Sequence, residues 1–192
     1  MSSDNEATGS AALDAALPVS LQDMKDWLRI AGGDEKDRLL AGLIAAAVLL
    51  CEGFTGQWVM IRQSEWRGLL HGGGTAIRLK SRPLVAVDDV IMMERGQEVA
   101  LNAAAYRLGG DRAGAATLQL VEGYGWRQML VRYRAGIAQD RAGVPEALRH
   151  GIVRMVQHLY ETRDRPVAEQ MPPAAVAALW QPWRRIGLGG RP

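Results

Sequence analysis

Residues 40–66, LAGLIAAAVLLCEGFTGQWVMIRQSEW, contain the point at which the chain changes its period. Leu40, Leu43, Ile44, Ala47, Leu50, Cys51 and Phe54 recur at the steps of one helix face, and Thr55-Gly56 ends the run. From Gln57 the step becomes two. Val59 and Ile61 alternate with Trp58 and Met60, so the run to Trp66 predicts a strand. A long helix with a buried stripe gives way to β structure.

Upstream, Ser20 predicts a helix cap, with Asp23 at the third position and Val19 and Met24 placed as a hydrophobic staple. Leu21, Met24, Trp27 and Leu28 form the apolar face of a short helix over 20–30, stopped by Gly32-Gly33. Asp34, Glu35 and Asp37 then open the long helix, where the dipole favours acids. Residues 1–17, rich in Ala, Ser and Asp, read as a flexible arm.

Downstream, Gly72-Gly73-Gly74 predicts a loop, and Ile77 and Leu79 alternate with Arg78 and Lys80 until Pro83. Arg95-Gly96 between Asp89–Glu94 and Gln97–Leu101 signals a hairpin. Residues 106–108, 117–121 and 129–135 are further short strands, separated by Gly109-Gly110, Gly114 and Gly123–Gly125. Helix returns with Pro145 as its first residue and with Leu148, Ile152, Met155, Val156 and Leu159 on one face. A linker, a short Ala-rich helix from Pro173 to Trp180 and an extended basic tail close the chain. The expected fold is α+β. Two N-terminal helices (18–56) and a C-terminal helix (144–165) make a helical bundle, a small antiparallel sheet or sandwich (57–136) is inserted between them, and 166–192 forms linker, helix and tail.

The 192 residues carry 23 Lys plus Arg against 21 Asp plus Glu, and one cysteine. One cysteine excludes a disulfide framework and a thiolate zinc site. The polar, acidic start is unlike a signal peptide, and the longest apolar run, Leu43–Cys51, falls short of the ~20 residues that cross a bilayer, so a soluble protein is expected. Only Lys25, Lys36 and Lys80 are lysines, which leaves twenty arginines. Either codon usage in a GC-rich genome or use at interfaces accounts for that bias. Charge is also uneven: residues 1–37 carry a balance of −5 and residues 141–192 a balance of +4. Such an asymmetry suits contacts between copies, or a basic tail reaching for a partner.

Catalysis has no constellation to stand on. His71 lies in a turn, and His150 and His158 are eight residues apart on a helix, ~80° round its axis, with no carboxylate or cysteine at ligand spacing. Cys51 belongs to an apolar stripe and reads as a small core residue. Neither Gly72-Gly73-Gly74 nor Gly109-Gly110 is followed by the Lys-Ser/Thr and helix of a phosphate-binding loop. No catalytic residue, metal ligand or cofactor is expected. The tail is more informative: Trp180, Pro182, Trp183, Arg184, Arg185 and Ile186 fall within seven residues, and Pro182 stops the preceding helix. Either Trp180 caps a local core and the rest is a basic tail, or the segment orders on a partner. Trp and Arg are the residues that most often anchor interfaces.

The order of these features resembles the head–tail connector, or adaptor, proteins of long-tailed bacteriophages. The resemblance rests on Val19–Ile30, the acidic turn at Asp34, Ala45–Gly56, Leu79–Leu84, Val131–Gly136 followed by Val144–Arg149, His158–Arg163 and Leu179–Arg185. The closing Pro182-Trp183-Arg184-Arg185 is most similar to the adaptor of gene transfer agents. The resemblance implies a non-enzymatic ring subunit, dodecameric in the family, between the portal of a DNA-filled capsid and a stopper or tail-side neck protein. DNA passes through its lumen without specific binding, and no membrane is involved. Assembly would take place in the host cytoplasm. Carried over residue by residue, it makes Trp180, Pro182, Trp183, Arg184, Arg185 and Ile186 the portal-binding candidates. The 17-residue arm departs from the pattern.

A closed ring needs complementary faces on each copy, which an acidic N-terminal third and a basic C-terminal third supply. Because phosphate attraction is strong, a channel through which DNA moves should not be dense in arginine, so Arg62, Arg78, Arg112 and Arg132 are not all expected to line it. The alternative is an Arg-rich nucleic-acid-binding protein, weakened by a net charge of only +2 and the lack of a recognition motif. Other neck positions, stopper or tail terminator, form a further alternative within the connector class, and a neck hydrolase ranks behind both.

Overall fold

The computed structural model describes residues 17–31, 33–70, 76–94, 96–110, 115–122, 127–163 and 171–185. The chain divides into a helical unit, Met1–Met60 with Ala138–Arg184, and a β unit, Ile61–Ile137 with Arg185–Pro192. The helices are α1 (Leu21–Leu28), α2 (Asp34–Thr55), α3 (Glu146–Glu161) and α4 (Ala174–Trp180), the last continued by a 3₁₀ turn over Gln181–Trp183. The strands are β1 (Arg62–Leu70), β2 (Ala76–Leu79), β3 (Leu84–Glu94), β4 (Gln97–Ala100), β5 (Tyr106–Gly110), β6 (Ala116–Leu120) and β7 (Arg127–Ala135). The α+β class and the insertion of strands between helices are as expected.

In the helical unit, α1 starts where Ser20 Oγ accepts from Asp23 N–H at 2.9 Å, and Val19 and Met24 are buried beside that cap. The helix ends earlier than Gly32-Gly33. Arg29 adopts a left-handed φ of 56°, and Ile30 N–H reaches back to Lys25 O at 3.1 Å, closing the last turn. A Lys25–Asp37 ion pair at 2.8 Å ties α1 to α2. The α2 stripe buries Leu40, Ile44, Ala47 and Cys51, and α3 packs along α2 with Leu148, Ile152, Met155 and Val156 buried. Pro145 caps α3, with an extended ψ of 132°, rather than standing as its first residue. By length and composition Glu35–Thr55 is apolar enough to cross a membrane, although its unbroken apolar runs are short; a third of it is buried within the fold.

The expected strand from Gln57 is displaced to Arg62–Leu70, because residues 57–60 are held by the helical unit. Val59 N–H donates to Glu52 Oε1 and Val59 O accepts from Ala138 N–H, both at 3.0 Å, and Gln57 N–H is taken by Thr55 Oγ1. Alternation began before the sheet did.

The β unit is antiparallel throughout. One sheet has the order β1-β7-β3-β4 and the other β2-β6-β5. Central strand β7 buries Met129, Val131, Tyr133 and Ala135 and exposes Arg132 and Arg134. Ile77 and Leu79 are buried as their alternation predicted, whereas Gly109-Gly110 lie inside β5 rather than in a turn.

Candidate functional site: the carboxy-terminal segment

Pro173 sets the start of α4, its carbonyl accepting from Val176 and Ala177 N–H at 2.9 Å each. Seven residues later the helix brings Trp180 into the core, where it is 0% exposed. Two features make that seat. Gly151 on α3 has no side chain, and a Cβ there would lie 2.2 Å from Trp180 Nε1. Phe54, at the end of α2, places its ring 5.9 Å from the indole at an interplanar angle of 54°. Trp180 Nε1 is buried without a hydrogen-bond partner among the described residues, so its seat rests on packing rather than on a polar tether.

Pro182 does not leave the tail extended at once. The helix tightens into the 3₁₀ turn Gln181–Trp183, in which Pro182 occupies an early position that needs no N–H, and Arg184 N–H closes it on Gln181 O at 3.1 Å. Gln57 Nε2 donates to Trp183 O, and the Arg184 guanidinium stands over the Phe54 ring with its carbon 5.3 Å from the centroid. Gln181, Pro182, Arg184 and Arg185 are exposed and Trp183 is half-buried. The segment is therefore a stem (Trp180, Trp183) seated on the end of α2 that presents a proline and arginines to solvent.

Of the six candidates, Trp180, Pro182, Trp183 and Arg184 are brought together, Arg185 follows them exposed, and Ile186 lies outside the described residues. The supporting residues Phe54, Gln57 and Gly151 were not singled out from sequence as parts of this segment. Gly151 carried the one legible signal: a glycine in the middle of an apolar helix face.

The groups considered for chemistry are placed differently. Cys51 is fully buried, and burial, followed by the neighbouring Glu52 charge, pushes its thiol up to about 12, so it is no thiolate at neutral pH. His150 makes an edge contact with Trp27 at 5.9 Å; His71 and Gly72-Gly73-Gly74 lie outside the described residues. Among the described residues no group of three His, Cys, Asp or Glu is arranged to hold a metal ion. On the β unit, Arg132 stands 3.7 Å from Glu65 and 3.5 Å from Asp89, and Arg134 stands 3.0 Å from Asp88. Arginine on that sheet is interleaved with acid.

No protein-family model and no curated protein matches this chain. Solved structures do. One is a chain of the neck of an empty GTA particle computed with C6 symmetry, 25% identical, with a TM-score of 0.71 over 91% of this chain and 94% of that one. A chain of the neck of a native GTA particle computed with C12 symmetry is 24% identical, with a TM-score of 0.70 over 92% and 93%. A chain in the virion of a native gene transfer agent (GTA) particle is 24% identical, with a TM-score of 0.67 over 91% and 94%. Across nine-tenths of its length, the chain shares the fold of proteins built into gene transfer agent particles.

Proposed function

We propose that this chain is a structural subunit of the neck of a gene transfer agent or related phage-like particle. The observation that carries the reading is the near end-to-end likeness to a chain of a GTA neck, at 25% identity and a TM-score of 0.71. Within the neck we assign it the portal-adaptor position, repeated as a ring around a channel through which DNA passes. The sixfold and twelvefold symmetries with which such necks were computed are in keeping with a dodecamer. The role needs no reaction, and a thiol held protonated to about 12 is in keeping with that.

The C-terminal segment is the portal-binding element in this reading. Trp180 and Trp183 act as the stem, Pro182, Arg184 and Arg185 make the contact, and Ile186 extends it. Arginine offers forked donors for carboxylates and carbonyls, and its stacking on Phe54 fixes its direction before binding, which lowers the ordering cost. The interleaved acids beside Arg132 and Arg134 support a channel role for the particle without adhesion to DNA.

The test is to mix the chain with portal rings and image the mixture by negative stain, in parallel with a chain lacking residues 181–192. The full chain should add a ring to one end of the portal, and the truncated chain should stay folded by circular dichroism yet leave the portal bare. Equal decoration by both chains would overturn the assignment of the tail. Decoration of a tail terminus or stopper instead of the portal would move the chain to another neck position, and salt-sensitive binding to DNA alone would favour the nucleic-acid alternative.

A further inference from the structure

The long helix α2 is only a third buried, and its outer side is not a polar surface. Between Leu39 and Gly53 the exposed positions are Leu39, Gly42, Ala45, Leu49 and Gly53, with Ala46 half-buried among them, and none is charged. Leu39 is 41% exposed and Leu49 66%, both high for leucine, while a Cβ built at Gly42 or Gly53 meets nothing within 4 Å. The one charged residue in this stretch, Glu52, points the other way and accepts Val59 N–H. Leu39, Gly42, Ala46, Leu49 and Gly53 follow each other at steps of three, four, three and four, the spacing with which one helix packs into another. Leucine knobs alternate with small residues that let a second backbone come close.

We propose that this outer face of α2 is where a neighbouring copy of the chain packs in the assembled ring. The inference rests on the neck reading above and adds the surface that reading lacks. Two observations favour a second copy over a lipid surface. A helix lying on a membrane keeps a Lys- and Arg-rich face toward water, whereas the opposite face of α2 is apolar and packed against α3. Lipid also has no use for glycines set between leucines at helix-packing intervals. The area explains the mode of assembly. From Leu39 to Gly53 fourteen rises of ~1.5 Å span ~21 Å, and a face ~10 Å wide covers ~200 Å². A stable interface takes ~800 Å² from each partner, so this face supplies about a quarter of it. Free copies should therefore associate weakly, and copies already held on a template by their tails should pack at high effective concentration.

The experiment compares wild type with Leu49→Asp and with Gly42→Leu, using portal rings as the template and mass photometry to count chains per portal. Leu49→Asp should lower the melting temperature by no more than about 3 °C, the helix-propensity cost of aspartate, and bind the portal singly with affinity within about twofold of wild type, because the tail is intact, but should stall at partial occupancy. Half-filling should need at least about tenfold more protein. Gly42→Leu replaces a helix-weakening residue at an open position, so it should raise the melting temperature while still blocking ring closure, a combination that misfolding cannot produce. Full rings from both variants at wild-type concentrations would overturn the proposal and leave the neck reading intact. If wild type does not bind portal, the portal-adaptor assignment fails. The face is then tested by sedimentation at millimolar concentration, where weak self-association lost in Leu49→Asp supports it and its absence in wild type refutes it. Flotation of wild type, but not Leu49→Asp, with phosphatidylcholine–phosphatidylglycerol vesicles would assign the face to lipid and also overturn it.

Discussion

Gly151→Ala is a one-carbon change whose effect depends on where the Trp180 indole sits. The new Cβ would stand 2.2 Å from Trp180 Nε1, 2.8 Å from Cδ1 and 3.0 Å from Cε2, against the ~3.5–4.0 Å at which such atoms rest. The colliding group is a rigid, fully buried ring backed by Phe54, so it cannot swing aside as a flexible side-chain tip would. Overpacking of this kind costs about 1–3 kcal/mol, here at the upper end, and alanine recovers about 1 kcal/mol of helix propensity. The chain should lose about 2 kcal/mol, a fall of roughly 4–8 °C in the melting transition of its 192 residues. Gly42→Ala is the control. It makes the same exchange on α2 where a Cβ meets nothing within 4 Å, so it should gain up to about 1 kcal/mol. Trp180→Leu replaces the rigid indole with a smaller side chain that can turn away from the new Cβ, so Gly151→Ala should cost less in that background, with a coupling of about 1–2 kcal/mol in a double-mutant cycle followed by thermal and urea unfolding. Portal affinity should fall with Gly151→Ala as well, since the stem beneath Arg184 moves. A Gly151→Ala chain as stable as wild type, or strict additivity in the cycle, would refute the seating of Trp180 against α3.

Arg184→Ala should change stability by no more than about 1 kcal/mol, because its stacking on Phe54 is at the surface, yet weaken portal binding at least about tenfold in a pull-down titration. A hydrogen bond from Arg67 first, and then the Arg67 and Arg132 charges, hold the Glu65 carboxyl below its ordinary 4.5 in the folded state. Its contribution is therefore present above about pH 4.5 and is lost as the pH falls through the folded value, so Glu65→Gln should flatten the acid limb of a melting-temperature profile. An unchanged limb would show that this exposed cluster adds nothing measurable. Cys51 should resist a thiol reagent such as DTNB at pH 8 in the native chain and react fully in denaturant; its folded value is raised above the unfolded 9.0, so that share of stability declines only as the pH climbs through 9 toward 12. Fast labelling of the native thiol would contradict its burial.

Local rules carried far in this chain because the local signals were strong and unopposed. The Ser20 cap, the α2 stripe, the alternation at Ile77 and Leu79 and the Arg95-Gly96 hairpin signal all led to the observed elements. Where they misled, a backbone group had found another partner. Residues 57–60 alternate like a strand, but Glu52 and Ala138 take the Val59 backbone groups. Arg29 ended α1 three residues before the first glycine because the left-handed turn let Ile30 N–H reach Lys25 O, which propensity does not foresee. The tail was legible as a cluster of Trp, Pro and Arg, yet not its division into a buried stem and an exposed contact edge. That division needed Gly151 and Phe54, respectively twenty-nine and one hundred and twenty-six residues before Trp180 in the chain.

By itself, then, the sequence determined the class of the fold, the position of the β insertion and the segment rich in interface residues, since period, caps and composition are local properties. Only the tertiary structure decided which side of α2 is left uncovered and which tryptophan is used up in the core. Both follow from what α3 and α4 occupy, and contacts between elements far apart in the chain leave no periodic trace in either partner.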